Sequence, residues 1–337
     1  MRAAAFTELT GPDGVSIIER PAPEPGPGEA IVDVEACAIN RHDLWILAGD
    51  SAMVDTDQLP FVSGLDVAGT VRDVGEDVRA VEQGQRVVLC PNETCGTCRF
   101  CREGPENMCE SYSLFHGGLA DVACVSADRL VGLPESVDAT TAAAVPTAYM
   151  TAYHMLRRAA VGPNDLVFVP GATGGVGVAT VQLADVMGAR TIGTSSSATK
   201  LDRLEELGLD HAIQSTDTDE IRDSVAEVGS PDAVVNHLGG KFTALGQEVL
   251  RRGGRMVVCG RTVGQHSEID IPDLFLGHKR IIGSTMGTQT DLERLVGLVA
   301  SGQLNPEVAE TFPLEETGAA FASMQARERV GKLVVTP

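Results

Sequence analysis

Lysine is scarce in this chain. Of its 337 residues, 47 are acidic and 26 basic, and only four of the basic residues are lysine: Lys200, Lys241, Lys279 and Lys332. The formal net charge of −21 would repel nucleic acid and anionic membranes, so neither is an expected partner. Acidic excess with so little lysine is what we expect of a halophilic protein, since concentrated salt screens self-repulsion. The alternative is an ordinary acidic cytosolic protein.

Long hydrophobic runs and a disulfide framework are also missing. No run of about 18 uncharged apolar residues occurs, so no membrane span is expected. The first residues, Met1 to Phe6, lead to Glu8 and a turn at Gly11, which does not resemble a secretory signal. Four of the eight cysteines fall within fifteen residues of a long chain, which is unlike a small secreted scaffold. These features predict a cytoplasmic enzyme.

The two parts of the chain differ in pattern. Short strand-like runs separated by glycine and proline fill about the first 140 residues, which indicates an irregular β-domain. From about residue 165, apolar strands alternate with helical stretches, as in a parallel, doubly wound sheet. We expect residues 140–158 to be helical and a last strand, 331–335, to return to the first domain. The predicted class is α/β, with domains at 1–145 plus 287–337 and at 146–286.

A glycine-rich turn opens the second domain. It consists of Gly171, Ala172, Thr173, Gly174, Gly175, Val176 and Gly177. The spacing matches G-x-G-x-x-G only with Ala172 in the first place, but the turn lies between a strand and a helix, as in dinucleotide-binding loops. Small residues let the backbone approach a pyrophosphate, which the free N–H groups of the helix start favour. The alternative is a glycine-rich loop without a ligand.

The acidic residue typical of NAD sites is missing after the second strand. Sites specific for NAD place Asp or Glu there to bind the ribose hydroxyls. Here Ser195, Ser196 and Lys200 occupy this segment, and a lysine with hydroxyls can bind a 2′-phosphate. We therefore predict NADP(H) as the cofactor, unless Lys200 is only a solvated helix residue. Later in the chain, we expect Gly260 and Arg261 to frame the nicotinamide.

Four cysteines lie close together in the first part of the chain. Cys95, Cys98 and Cys101 are spaced by three residues, and Cys109 follows. Four thiolates complete a tetrahedral zinc shell and leave no open position, which is the structural kind of site. We predict one structural Zn²⁺ in a lobe over residues 91–112; an iron–sulfur cluster is the alternative.

Together these motifs resemble the medium-chain dehydrogenase/reductase superfamily over essentially the whole chain. The resemblance runs through residues 23–29 (PEPGPGE), the four-cysteine lobe, the glycine-rich turn and the closing segment 331–335 (GKLVV). It implies a GroES-like catalytic domain, a Rossmann domain, an active site in the cleft between them, and a homodimer or homotetramer. It also implies an oxidoreductase that acts on a small molecule.

The catalytic zinc ligands of the family's alcohol dehydrogenases are absent. In the aligned positions the ligand cysteine is replaced by Asn40, the Gly-His-Glu motif has become Gly64-Leu65-Asp66, and the third ligand falls near Thr147. Leucine cannot bind zinc, and neutral Asn and Thr are poor replacements for thiolates. What remains resembles the quinone oxidoreductase and enone reductase branch, although those reductases commonly lack the four-cysteine lobe.

Without a catalytic zinc, an activated acceptor is expected: a quinone or an α,β-unsaturated carbonyl compound, enoyl thioesters included. The candidate catalytic residues are Asn40 as a hydrogen-bond donor or a structural amide, His42 as a proton relay or a structural histidine, and Asp43 as an orienting group. One alternative is an alcohol dehydrogenase with an atypical zinc site through His42 and Asp66. Another is a redox-inactive NADPH-binding protein with a sensing or structural role.

Overall fold

A computed structural model describes residues 1–51 and 53–337 of the chain. The chain divides into two compact units, one formed by Met1–Thr147 with Thr288–Pro337 and the other by Ala148–Gly287. No helix in the described part of the chain is long and apolar enough to cross a membrane.

The first unit is built mainly on antiparallel strands, and only its last two strands pair parallel to each other among the described strands. Its strands are β1 (Arg2–Phe6), β2 (Val15–Glu19), β3 (Glu29–Ala38), β4 (Phe61–Val62), β5 (Asp66–Val74), β6 (Arg86–Leu89), β7 (Asn92–Glu93), β8 (Ser113–Leu114), β9 (Val122–Ser126), β10 (Leu130–Gly132), β17 (Val308–Pro313) and β18 (Lys332–Thr336). The main sheet has the order β10-β6-β5-β3-β18-β17, with β9 also paired to β3. The other sheets are β2-β1-β4 and β7-β8.

Short helices complete the first unit. They are α1 (Arg41–Leu47), α2 (Arg99–Glu103), α3 (Ala139–Ala143), α10 (Gln289–Ala300) and α11 (Thr317–Ala326). The core of this unit includes Phe6 on β1 and Phe321 on α11, which are fully buried and whose rings meet edge to face, 5.6 Å between centroids. The C-terminal strand β18 pairs with β3, so the chain does return to the first unit as its sequence predicted.

The second unit is a parallel sheet flanked by helices. Its strands are β11 (Leu166–Val169), β12 (Arg190–Ser195), β13 (His211–Gln214), β14 (Ala233–Asn236), β15 (Arg255–Val258) and β16 (Arg280–Gly283). Its helices are α4 (Met150–Arg158), α5 (Gly175–Val186), α6 (Ala198–Glu206), α7 (Thr218–Val228), α8 (Lys241–Val249) and α9 (Ile271–Leu276). The order β13-β12-β11-β14-β15-β16 is the doubly wound arrangement, so the predicted α/β class with a Rossmann domain is confirmed.

The segment predicted to be helical, 140–158, is helical, with an interruption. The segment consists of α3, a π-helical turn (Val145–Tyr149) and α4. Pro146 explains the break, since proline has no N–H to donate and its ring clashes with the preceding turn. The break places Thr147 in the wide turn.

Candidate functional site

The glycine-rich turn has the shape of an anion-binding loop. Gly171 has φ +63°, a left-handed conformation that favours glycine. A Cβ on Gly177 would lie 2.6 Å from the Ala172 carbonyl oxygen, so α5 packs against the turn only because no side chain intervenes. A Cβ on Gly174, the N-cap, would meet nothing within 4 Å, and no described side chain caps the helix. The turn therefore leaves open space before exposed helix N–H groups, which fits a pyrophosphate.

The segment after β12 carries hydroxyls and a lysine. Ser195 is buried and its hydroxyl accepts a hydrogen bond from the Ser197 N–H at 3.2 Å. Ser196 is exposed, and Lys200 lies half-buried in the first turn of α6. The nearest acidic residue along α6 is Asp202, beyond this segment. The groups present can hold a 2′-phosphate, and none of them would repel it.

Gly260 and Arg261 follow β15. A Cβ on Gly260 would lie 2.0 Å from the His237 carbonyl oxygen, so the backbones after β14 and β15 approach as closely as glycine allows. These residues lie at the carboxyl edge of the sheet, where open α/β sheets bind their ligands.

In the first unit, Asn40 and Thr147 both bind the buried carboxylate of Asp66. Asp66 has no exposed surface. Its Oδ1 accepts hydrogen bonds from the N–H and hydroxyl of Thr147 at 3.0 and 2.5 Å, and its Oδ2 accepts one from Asn40 Nδ2 at 2.9 Å. Asn40 and Thr147 stand where the family's alcohol dehydrogenases have zinc ligands, and Asp66 directly follows the remaining ligand position. The structure brings these three residues together.

A buried lysine completes this cluster. The Lys332 ammonium lies 2.5 Å from Asn40 Oδ1, 2.9 Å from the Ile39 carbonyl oxygen and 3.2 Å from Asp66 Oδ2. All three of its hydrogens therefore have acceptors. Burial raises the pKa of Asp66, while the ammonium and the bonds from Thr147 and Asn40 oppose that rise. We call Asn40, Asp66, Thr147 and Lys332 the lysine cluster.

Both amide hydrogens and the oxygen of the Asn40 side chain are hydrogen-bonded. Its Nδ2 donates to Asp66 and, at 3.3 Å, to the Ala38 carbonyl oxygen, while its Oδ1 accepts from Lys332. Its backbone N–H donates to Asp43 Oδ2 at 2.8 Å, which is a capping interaction at the start of α1. The arrangement leaves the amide no hydrogen for another acceptor.

Asp43 anchors a second chain of contacts that ends at two histidines. Its Oδ1 accepts hydrogen bonds from the Ser63 hydroxyl at 2.5 Å and from the Gly64 N–H at 3.2 Å. Ser63 Oγ also lies 3.3 Å from His116 Nδ1. Because the serine hydrogen is given to Asp43, Nδ1 of His116 must be the donor to Oγ, and its Nε2 carries the lone pair.

The His116 ring stacks on His42, with centroids 5.4 Å apart and planes inclined by 24°. Nε2 of each ring is buried and has no hydrogen-bond partner among the described residues. Burial lowers the pKa of both imidazoles, which the negative charge of Asp43 opposes. The structure therefore places His42 beside a hydrogen-bonded chain of Asp43, Ser63 and His116.

The four predicted cysteine ligands converge. The sulfur atoms of Cys95, Cys98, Cys101 and Cys109 all lie within 4.8 Å of one another, the one group of three or more metal-binding side chains in the described ranges. The Sγ atoms of Cys98 and Cys101 are 3.5 Å apart, and those of Cys95 and Cys101 are 3.9 Å apart. Zinc–sulfur bonds of about 2.3 Å in a tetrahedron require about 3.8 Å between sulfurs. Hydrogen bonds from Thr97 lower the pKa of Cys95 to about 6.

Comparisons with known proteins agree with both units. Residues 26–135 match the alcohol dehydrogenase GroES-like domain, and residues 175–301 match the zinc-binding dehydrogenase family. Acryloyl-coenzyme A reductases from Sulfurisphaera tokodaii and Metallosphaera sedula are 29% and 30% identical, over 98% and 96% of both chains. The chain belongs to the medium-chain dehydrogenase/reductase superfamily. It is accordingly an oxidoreductase by family, and the predicted GroES-like and Rossmann domains are confirmed.

Solved structures of this superfamily include both alcohol dehydrogenases and enoyl reductases. A structure described as an NAD-dependent alcohol dehydrogenase superposes with a TM-score of 0.91 at 32% identity and covers all of both chains. A 2-octenoyl-CoA carboxylase reductase in complex with NADP and 2-octenoyl-CoA superposes with a TM-score of 0.90 at 25% identity, covering 99% of this chain and 87% of that one.

Sequence reasoning missed three members of these clusters: Lys332, Ser63 and His116. The sequence did indicate a buried role for Lys332. It adjoins the apolar run Leu333-Val334-Val335, and a lysine at the start of a buried strand needs hydrogen-bond acceptors. Ser63 and His116 had none, since a single serine and a single histidine in loops are common.

Proposed function

We propose that the chain is an NADPH-dependent reductase that delivers hydride to a carbon–carbon double bond conjugated to a carbonyl group, without a catalytic zinc. The observation that carries this proposal is the lysine cluster. Every polar atom of Asn40, Asp66 and Thr147 that could face a metal is bound within the cluster, and the Lys332 ammonium would repel a divalent cation there. The residues at these positions therefore do not fit a zinc ion.

Enoyl thioesters are the acceptor class we favour. Two relatives are named acryloyl-CoA reductases, and one structural neighbour holds an enoyl-CoA. Reduction of such a double bond leaves negative charge delocalised onto the carbonyl oxygen, so hydrogen-bond donors and a proton source suffice. Quinones are the second acceptor class, with the same needs.

The dinucleotide supplies the hydride when bound, and the residues of this chain supply the proton. We assign His42 as the proton donor to the reduced substrate: an imidazolium N–H bond breaks, a C–H or O–H bond forms, and the ring becomes neutral. His116 stacks on it and, once protonated on Nε2 by solvent, would return a proton to His42, while Asp43 and Ser63 hold the hydrogen of His116 Nδ1 in place. Asn40 is assigned as a positioning residue, because its amide is saturated.

NADP(H) is preferred over NAD(H) in this proposal. The hydroxyls of Ser195 and Ser196 and the charge of Lys200 lie after β12, where a carboxylate would repel a 2′-phosphate. The glycine-rich turn would hold the pyrophosphate, and Gly260 and Arg261 the nicotinamide end.

We further propose that the four-cysteine cluster binds one structural zinc. Its four thiolates fill a tetrahedral shell, so the metal would stabilise the lobe and have no position for substrate. All eight cysteines are free thiols, which is compatible with a reducing, cytoplasmic location.

A homodimer is the assembly we propose. The strand β16 is a sheet edge that pairs with β15 alone among the described strands, and α9 beside it exposes Ile271, Phe275 and Leu276 by about 60% each. A two-fold axis would join two such edges and cover both apolar faces. Light scattering after size exclusion should give twice the chain mass of 35.3 kDa.

Zinc content and turnover, measured on one sample in molar salt, test the proposed function. One zinc per chain with NADPH-driven reduction of acryloyl-CoA or a quinone is the expected result. Two zincs per chain with alcohol oxidation would instead establish an alcohol dehydrogenase with atypical ligands, as some relatives' names suggest. NADPH binding without turnover of any acceptor would indicate a redox-inactive protein.

A further inference from the structure

The four-cysteine lobe contacts helix α10 through Glu106. This residue begins a short 3₁₀ turn (Glu106–Met108) that leads directly into Cys109. Its carboxylate Oε1 accepts a hydrogen bond of 2.6 Å from the backbone N–H of Gln289, the first residue of α10, which lies 183 positions away in the chain. Both residues belong to the first unit. The contact therefore joins the lobe to the segment in which the chain returns from the second unit.

The start of α10 needs this acceptor. The first backbone N–H groups of a helix have no partner within the helix. In α10 a capping box satisfies two of the neighbouring groups: the Asp291 N–H donates to the Thr288 hydroxyl, and the Thr288 N–H donates to the Asp291 carboxylate, both at 3.1 Å. The Gln289 N–H lies between them in the chain and donates to Glu106. The helix dipole also favours a negative charge at this end.

Other contacts hold Glu106 beside α10. Arg129 Nη2 lies 3.8 Å from Glu106 Oε1, and the two side chains are only 12% and 21% exposed. The Gln289 side chain donates to the carbonyl oxygen of Asp128, the neighbour of Arg129, at 2.9 Å. Arg129 Nη2 in turn lies 3.1 Å from Cys90 Sγ, just after β6. The Glu106 carboxylate therefore meets a surface outside the lobe that α10 and the turn before β10 form together.

Within the lobe, Glu106 is tied to a proposed zinc ligand. The Cys109 N–H donates to the Glu106 carbonyl oxygen at 3.0 Å, so the position of one residue constrains the other. The lobe has little regular structure besides: β7 and β8 have two residues each, and α2 has five. A two-stranded sheet is marginally stable by itself, whereas a structural zinc contributes folding energy directly. We therefore expect the order of Glu106 to depend on the metal.

We propose that Glu106 is a positioning residue that transmits metal binding in the four-cysteine lobe to the first turn of α10. With zinc on Cys109 and its three partners, the turn Glu106–Met108 would be held in place, and its carboxylate would hold the Gln289 N–H. Without the metal the turn can leave α10, and the helix start then loses its acceptor. The inference rests on the proposed function, because it requires the structural zinc.

Amide hydrogen exchange, followed by mass spectrometry on peptides within residues 286–296, measures the start of α10. In the wild type, removal of zinc with a chelator should speed exchange there about tenfold. Peptides from α8, in the second unit, should not change. E106A keeps all four cysteines, so its zinc content should stay at one per chain. Its α10 should nevertheless exchange as fast with zinc as the wild-type helix does without it, and should not respond further to the chelator.

Two matched variants test the chemistry of the contact. E103A removes an exposed glutamate of the same lobe and should respond to zinc as the wild type does. E106Q keeps an oxygen that can accept the Gln289 N–H, so the response to zinc should persist.

Unchanged exchange of α10 in the chelated wild type would overturn the inference. An equal response to zinc in E106A and the wild type would overturn it too, because the effect would then not pass through Glu106. Equally faster exchange in α8 would replace the relay by general unfolding. A wild type that takes up no zinc, seen by elemental analysis, would refute the proposed metal site and the relay with it.

Discussion

Replacing Lys332 by methionine should destabilise the first unit strongly. Methionine keeps the length of the side chain but removes the charge, and it leaves the Asp66 carboxylate, which has no exposed surface, without its counter-ion. Loss of one partner from a buried ion pair costs about 3–5 kcal/mol. Asp66 keeps three of its four donors, from Thr147 and Asn40, so we expect about 3 kcal/mol.

Denaturant unfolding followed by tryptophan fluorescence measures this loss in the unit concerned. Trp45 is the chain's one tryptophan and lies on α1, in the same unit as Lys332. The double variant D66N/K332M removes the isolated charge and should recover about half of the loss. A loss below about 1 kcal/mol for K332M at pH 7 would refute the reasoning, because Asp66 would then not need the ammonium.

The pH dependence gives an independent check. Burial already raises the pKa of Asp66 and Lys332 opposes that rise, so removing Lys332 raises the pKa further. An acid whose pKa is raised on folding loses stability as pH rises from its unfolded value through its folded value. The gap between K332M and the wild type should therefore be small near pH 4 and large at pH 7. A gap that widens towards acid pH would contradict the assignment.

Three further predictions concern the proton path, the cofactor and the metal. H116F should lower kcat for enone reduction about 100-fold. In a kcat–pH profile of the wild type, the rate should fall as pH rises above the lowered pKa values of His42 and His116. S196D should shift the ratio of NADP⁺ to NAD⁺ affinity at least about tenfold towards NAD⁺, measured by calorimetry. C98S should lower zinc content and the thermal midpoint, while kcat per folded enzyme stays within about twofold.

Each of these has a matched control. H116Q, with its amide nitrogen available for Ser63, should keep the fold and still lose the rate, whereas an unchanged rate in both His116 variants would remove His116 from the proton path. S196A should leave the preference for NADP⁺ nearly intact. C124S, at a cysteine outside the cluster, should retain the wild-type zinc content; a loss there equal to that of C98S would argue against the four-thiolate site.

Features encoded in contiguous residues were predictable, and features assembled across the chain were not. The glycine-rich turn and the four cysteines each lie within about fifteen residues, so spacing alone predicted their geometry. Lys332 contacts Asn40 across 292 positions in the chain, and His116 contacts Ser63 across 53. Such pairs depend on the register of β18 against β3 and on loop conformation, which no local pattern specifies.

The lysine cluster also explains how a chain can keep the cysteine lobe of zinc dehydrogenases and lack their catalytic ligands. The lobe is self-contained, because its four sulfurs converge within a short segment and need no other part of the fold. The catalytic positions are dispersed, from Asn40 to Thr147, and a partial loss of ligands would leave buried polar atoms without partners. Here the remaining side chains bind one another and a lysine from β18, so these positions are hydrogen-bonded without a metal. For this chain, the proposed function therefore rests on these dispersed positions and not on the more recognisable four-cysteine motif.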